Sequence, residues 1–390
     1  ADSICITEPV NGWIQSSPTN SAVVRARTVQ VKYAIIGAGQ TGLQFLHTCV
    51  VKQSGSVAMI DTRDEIGGHW TDQYAFVKLH TPKHTYGIDP AAWFGDRTRD
   101  LATRDEILDH YALTMRSSLE HKDVAMFLGH TAERVMTRAL GACVLCNPVT
   151  TGPPTLLVAR GIVDATTNAV PWNDPSSMIA SSTMRVIGPR ALVDVKVEPT
   201  STFVVIGGGK SACDAVLYLR RQMGVAASDD CPQITWVVST ALAYFRREVA
   251  GTERFDRVVE HLLMEDFADP ESEMHQLPSY SEIFHHFTTT PPNTTHLGVL
   301  SVEEVEELRV QSRIEGQRAV SIEHDHIILT NGRIDCNLGT IIVTCTGPSR
   351  DATTRARLQA EHTAMRSKSM DPMDVDSVTL FTILSQAQVP

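Results

Sequence analysis

The chain lacks any run of about 18 consecutive apolar residues, so no membrane-crossing helix is expected. It also lacks a basic surplus. The net charge is −11, which argues against a general nucleic-acid-binding surface. Any anionic ligand must therefore be held by local donors. The eight cysteines do not have the spacing of a disulfide framework, so a reducing, cytoplasmic setting is expected. Cys143 and Cys146 form a C-x-x-C, but no second pair completes a zinc site. They sit in an apolar stretch that reads as a strand, where positions three apart face opposite sides. His285-His286 and the His324/His326 pair lack accompanying carboxylates or thiols, so no metal is expected. The first residues include Asp2 and no basic-then-apolar block, so they do not read as a signal peptide. Asn293-Thr294-Thr295 matches a glycosylation sequon, to which no role is assigned without a secretion signal.

The chain does have size and glycine in the right places. Its 390 residues, 42% apolar and 20% charged, suffice for two or three domains. Two segments run from an apolar strand into a glycine-rich turn and then into helix-forming sequence. In the first, Val31–Ile36 leads into Gly37-Ala38-Gly39-Gln40-Thr41-Gly42. In the second, Thr202–Ile206 leads into Gly207-Gly208-Gly209-Lys210-Ser211-Ala212. The spacing is G-x-G-x-x-[GA]. The first glycine permits a tight turn, the second lets backbone approach a pyrophosphate, and the third position must be small for helix and sheet to pack closely. The free N–H groups of the helix start then face the phosphates.

The strand Ser56–Ile60 ends in Asp61, about 20 residues beyond the first glycines, where an acid accepts hydrogen bonds from a ribose 2′-hydroxyl. This suits FAD or NAD and repels a 2′-phosphate. The corresponding strand of the second unit, Ile234–Val238, ends in Ser239-Thr240 with no acid, and Arg246 and Arg247 follow. Those arginines would suit the 2′-phosphate of NADPH or form a solvated pair. Lys210, in the first helical turn, would reach a phosphate or lie exposed.

Beyond Asp61 comes Gly67-Gly68-His69-Trp70, then Tyr74-Ala75-Phe76-Val77-Lys78-Leu79-His80-Thr81-Pro82. On these segments and the two glycine turns, the chain resembles the two-dinucleotide-fold flavoproteins, in particular the flavin-containing and Baeyer–Villiger monooxygenases. The resemblance spans most of residues 30–385. It implies an α/β fold with two Rossmann-like dinucleotide-binding domains, an FAD domain with an inserted NADP domain. The expected parts are an extension over 1–29, the FAD domain over 30–166 and 336–390, and the NADP domain over 167–335. Lys210 would then be on a phosphate. His69 and His80 would lie near cofactor, as candidates for a catalytic role, and His84 shares their loop. The implied activity is FAD- and NADPH-dependent oxidation of a small organic molecule, with monooxygenation leading. An oxidase or dehydrogenase with a vestigial second site and a non-catalytic binding module are the alternatives. One departure bears on the reaction. The group's F-x-G-x-x-x-H falls at Val186 to Leu192, with leucine in place of histidine and valine in place of phenylalanine. The group's usual last helix, starting toward the flavin, would fall near Leu380–Leu384 or be missing.

Several elements are also readable. Thr103 and Glu106 form a capping box before Ile107, Tyr111, Met115 and Leu119 at helical spacing. Val124–Leu128 reads as a buried strand. Residues 132–160 read as a β-meander turning at Gly152-Pro153-Pro154. Gly161–Thr166 and Thr340–Gly347 read as separate strands at the domain crossings. Ser301 and Glu304 cap a helix over 302–315, and Asn331-Gly332 marks a hairpin.

Overall fold

The computed structural model describes residues 5–6, 27–51, 55–83, 86–88, 93, 101–137, 141–166, 179, 184–250, 252–253, 280–292 and 294–346. The first half builds one mixed sheet. Short β1 (Cys5–Ile6) pairs antiparallel with β2 (Arg27–Ile36). The glycine turn leads to α1 (Gln40–Val51), then β3 (Val57–Asp61), α2 (Arg104–Leu119) and β4 (Val124–Leu128). A meander of β5 (His130–Thr137), β6 (Gly141–Pro148) and β7 (Thr155–Asp164) completes the sheet. The strand order is β4-β3-β2-β7-β6-β5, and β4, β3, β2 and β7 run parallel.

Local sequence explains these elements. Thr103 accepts from the Glu106 N–H while the Glu106 carboxylate accepts from the Thr103 N–H, so both halves of the capping box form at α2. Ile107, Tyr111 and Met115 are buried on one face. Two expectations are corrected. β4 is an edge strand and only half-buried along its length, because no strand covers its outer side. Gly161–Thr166 is no separate strand. Residues 161–164 are the end of β7, which is antiparallel to β6 over its first part and parallel to β2 throughout.

The second half builds a parallel sheet of five strands, ordered β14-β10-β9-β18-β8. These are β8 (Arg185–Ile187), β9 (Phe203–Ile206), β10 (Ile234–Val238), β14 (Arg313–Glu315) and β18 (Ile341–Thr344). Helix α3 (Lys210–Gln222) connects β9 to β10. Between β10 and β14 lie β11 (Leu242–Arg246), β12 (Phe284–His285), β13 (Thr294–Leu300) and α4 (Val302–Val310). Strands β15 (Ala319–Ile322), β16 (His326–Leu329) and β17 (Gly332–Asp335) form a small antiparallel sheet. Its last hairpin turns at Asn331-Gly332, with Gly332 at φ +117°.

Here too the sequence reading is corrected. The helix expected over 302–315 ends at Val310, and residues 313–315 join β10 as a parallel strand. Gln311 breaks the helix: its buried amide donates to the carbonyls of Cys231 and Ile234. Strand β18 lies between β9 and β8 in the second sheet. Residues 336–344 therefore do not begin a return to the first sheet, and the boundary placed at 335/336 fails. The segment expected to carry the last helix lies outside the described residues, as do His84, Asn293 and most of the extension over 1–29.

Arg220 fastens the second sheet's helices. It is fully buried and donates to Gln311 Oε1 at 2.9 Å, to the Asp229 carbonyl at 2.8 Å and to Glu307 Oε1 at 3.3 Å. Its loss strands those acceptors, and breaking a buried pair costs about 3–5 kcal/mol. Arg220→Ala is expected to lower unfolding stability by about 3 kcal/mol, read as a lower urea midpoint with unchanged slope.

Candidate functional site

Each glycine turn is closed by a tight approach of backbone. A Cβ on Gly42 would overlap the Gly37 carbonyl oxygen, so α1 sits hard on β2. Gly37 has φ +107°, a left-handed conformation that favours glycine, and a Cβ there would stand 3.1 Å from the Ala165 carbonyl oxygen. The double glycine packs on the same turn. Gly67 N–H donates to the Ala38 carbonyl at 2.9 Å, and a Cβ on Gly68 would fall 2.6 Å from the Gly39 Cα. The second unit repeats the arrangement. Gly207 has φ +133°, and its missing Cβ would lie 2.7 Å from the Cys345 carbonyl oxygen. Small residues past β7 and β18 thus close both turns.

The helix starts differ in kind. Helices α2 and α4 carry capping boxes and two acids each in the first turn: Asp105 and Glu106, then Glu303 and Glu304. Helices α1 and α3 carry no acid in the first turn, and the N-cap of α3, Gly209, makes no side-chain hydrogen bond. The donors and the positive helix end are left for an anion. These two helix starts, with free donors behind turns packed too tightly for a side chain, fit the diphosphates of dinucleotides.

Asp61 ends β3 beside the first turn. Its Oδ2 accepts the Ala38 N–H at 2.7 Å and its Oδ1 accepts the Arg63 N–H at 2.9 Å. Gln40 and Trp70 are tied into a buried network. Trp70 donates to Tyr86 Oη at 2.6 Å, and the Tyr111 hydroxyl reaches both Tyr86 Oη and Gln40 Oε1. Trp70 is fully buried and packs as core. Thr41 is half-buried in the first turn of α1. His69 is half-buried, and its enclosed Nε2 has no hydrogen-bond partner among the described residues. Burial, aided by the Arg63 charge, pushes its pKa down to about 4, so its ring is neutral near pH 7. Gln73 Oε1 is likewise buried without a partner. His80 is buried, and its carbonyl accepts from Arg247 Nε at 3.1 Å.

The loop after the double glycine reaches the second unit. Tyr74 Oη donates to Asp214 Oδ2 at 2.8 Å, and Phe76 stacks on Tyr218 at 4.2 Å. Gly68 and Tyr74 are six residues apart in sequence, so the first turn and α3 are separated by at most about 20 Å of extended chain. Burial and the Asp214 charge push the Tyr74 phenol well up, so it stays a donor. Lys210 is neither exposed nor free: it is buried and bonded to Asp214 one turn along α3. Ser211 and Ala212 are buried at the helix–sheet contact. Sequence reasoning missed Tyr74 and Asp214, whose partnership joins positions 140 residues apart.

The arginine pair is held by contacts of its own. Arg247 is bonded to Glu304 at 2.6 Å and to the His80 carbonyl. Arg246 ends β11, with Nε buried and unpartnered. Neither arginine lines the cavity that opens where β10 ends, a space of about 340 Å³ bordered by Ser239, Thr240 and Glu315. Leu192, at the expected histidine position, is fully buried in the second core. Cys143 and Cys146 belong to different core clusters on opposite faces of β6, and burial pushes the Cys146 thiol up to about 12. Among the described residues no group of three or more metal-ligating side chains assembles, and no helix is long and apolar enough to cross a membrane.

No protein-family model matches the sequence. The chain is 28% identical over 232 residues to uncharacterised proteins of Mycobacterium tuberculosis and Mycobacterium bovis, covering 55% of this chain and 39% of each relative. It thus spans about two fifths of the length of these curated relatives. Among solved structures, it is similar to an open form of cyclohexanone monooxygenase (TM-score 0.55, 13% identity, 82% of this chain and 74% of that one). It is also similar to a steroid monooxygenase bound to NADP (0.52, 15%, 82% and 71%). A third is the polycyclic ketone monooxygenase of Thermothelomyces thermophila (0.54, 13%, 82% and 63%). At such identities the likeness is one of fold: a mixed α/β architecture with parallel-strand sheets.

Proposed function

We propose that the chain is a flavoprotein oxidoreductase that holds FAD on the first glycine turn and a reduced nicotinamide dinucleotide on the second. The observation that carries this reading is the pair of acid-free helix starts, each behind a turn where only glycine fits. The similar solved structures, all monooxygenases by name, support it at the level of fold. When bound, the flavin supplies hydride acceptance and oxygen chemistry. The chain's residues supply position. Asp61 stands at the ribose end of the first turn, and Gly37, Gly39 and Gly68 let the backbone pack closely enough to present the α1 start to a diphosphate. His69 presents a buried, neutral ring nitrogen beside them, and Tyr74 fixes the loop against α3. The finer proposal is monooxygenation of a small organic molecule.

A second reading, an oxidase or dehydrogenase, is favoured by Leu192. An apolar side chain packed in the core offers no hydrogen bond where the resembled monooxygenases carry histidine.

The direct test is loading with FAD followed by anaerobic mixing with reduced nicotinamide dinucleotide. A bound yellow chromophore that bleaches near about 450 nm is expected; a colourless protein, or a colour that persists, overturns the proposal. Peroxide released without oxygenated product would select the second reading. Asp61→Ala is expected to weaken FAD binding about ten- to hundredfold, from the loss of a charge-assisted hydrogen bond to ribose, measured by flavin fluorescence titration on protein of unchanged circular dichroism.

A further inference from the structure

The cavity at the end of β10 adjoins the second glycine turn. A Cβ on Gly208 would stand 3.0 Å from Val238 Cγ1 and 3.4 Å from the Thr240 carbonyl oxygen, both on the cavity wall. In a strand–turn–helix–strand unit of this kind, the adenosine ribose lies at the end of the second strand, here Val238. The sequence places no acid there. The fold places one from the neighbouring strand, because Val238 and Glu315 are register partners in β10 and β14, and Glu315 lines the cavity with Ser239, Thr240, Thr288 and Thr290.

Glu315 is a fixed negative charge. Burial works against its ionisation, but donors prevail: the Thr289 N–H at 2.9 Å, the Thr289 hydroxyl at 2.7 Å, Arg313 Nε at 2.6 Å and the Thr290 N–H at 3.2 Å. Together they hold its pKa at about 2. These donors occupy its oxygens, so it acts on a ligand through charge and not through a further hydrogen bond. Arg313 pairs with it directly and offsets part of that charge, but from outside the cavity wall, so the pair presents its carboxylate end to the cavity. Arg313 Nη1 donates to the carbonyls of Leu308, Arg309 and Gln311 beyond the end of α4. Arg313 does not line the cavity, and among the described residues no Lys, Arg or His does.

We propose that the second nucleotide site selects the non-phosphorylated dinucleotide, NADH over NADPH, because Glu315 repels a 2′-phosphate where Ser239, Thr240 and Thr290 offer only hydroxyls. This rests on the reading that the second turn holds a nicotinamide dinucleotide, and it departs from the NADPH expectation drawn from Arg246 and Arg247.

The test is isothermal titration of the full chain with NAD+ and with NADP+ at low salt. NAD+ is expected to bind at least about tenfold more tightly, with the gap narrowing as salt screens the repulsion. Glu315→Gln should reduce that ratio about tenfold. Thr240 is exposed, so Thr240→Arg adds a cation to the wall without disturbing the core and should shift preference toward NADP+. This second variant decides the matter if Glu315→Gln fails to fold. Equal or tighter binding of NADP+ by the parent chain overturns the inference and leaves the two-nucleotide reading standing, as does a ratio that neither variant moves. Binding of neither dinucleotide overturns both.

Discussion

The structure depends on how closely backbone can approach backbone at two turns. At the first, Gly42 sits on the Gly37 carbonyl, Gly68 presses on Gly39, and Ala165 closes over Gly37. At the second, the chain past β18 closes over Gly207 in the same manner, with the Cys345 N–H bonded to the Ile206 carbonyl at 2.7 Å. The Ala165 N–H makes the equivalent bond to Ile36 at 2.8 Å. Side chains at these points would lift each helix from its sheet and part the segments that close each turn. Sheet order, helix placement and open donors all follow from that shortage of room.

An acidic chain that is to hold anions must arrange its charge locally. Acids crowd the starts of α2 and α4, where they serve as caps, and are missing from the starts of α1 and α3. Lys210 is neutralised by Asp214, which also receives the Tyr74 hydroxyl. One carboxylate therefore joins the first turn of α3 to the loop that packs on the first glycine turn.

The features legible in the sequence were local ones. The glycine turns, both capping boxes, the meander and the Asn331-Gly332 hairpin each depend on residues a few positions apart, so short-range chemistry specifies them. What stayed hidden depends on pairing across long separations. Residues 313–315 share apolar and charged character with the end of a helix, and only their partnership with β10 makes them a strand. Strand β18 carries the same small-residue ending as β7, so its text does not say which sheet it enters. Glu315 lies 77 residues beyond Val238 and was invisible to a search along the second strand for a ribose acid. The converse holds for the arginine pair: it is near Ser239 in sequence, and the sequence does not show that Arg247 bonds Glu304 and the His80 carbonyl.

Strand β7 has two masters. Its first residues match β6 in antiparallel register, while its whole length matches β2 in parallel. A slip of one position against the meander would carry through to the nucleotide turn, flip the alternation of faces and move Ala165 off Gly37. A misthreaded hairpin on one side of the sheet would thus deform a phosphate cradle on the other. Since a ligand stabilises only the conformation it can enter, any ligand held at that turn would favour chains whose β-register is correct.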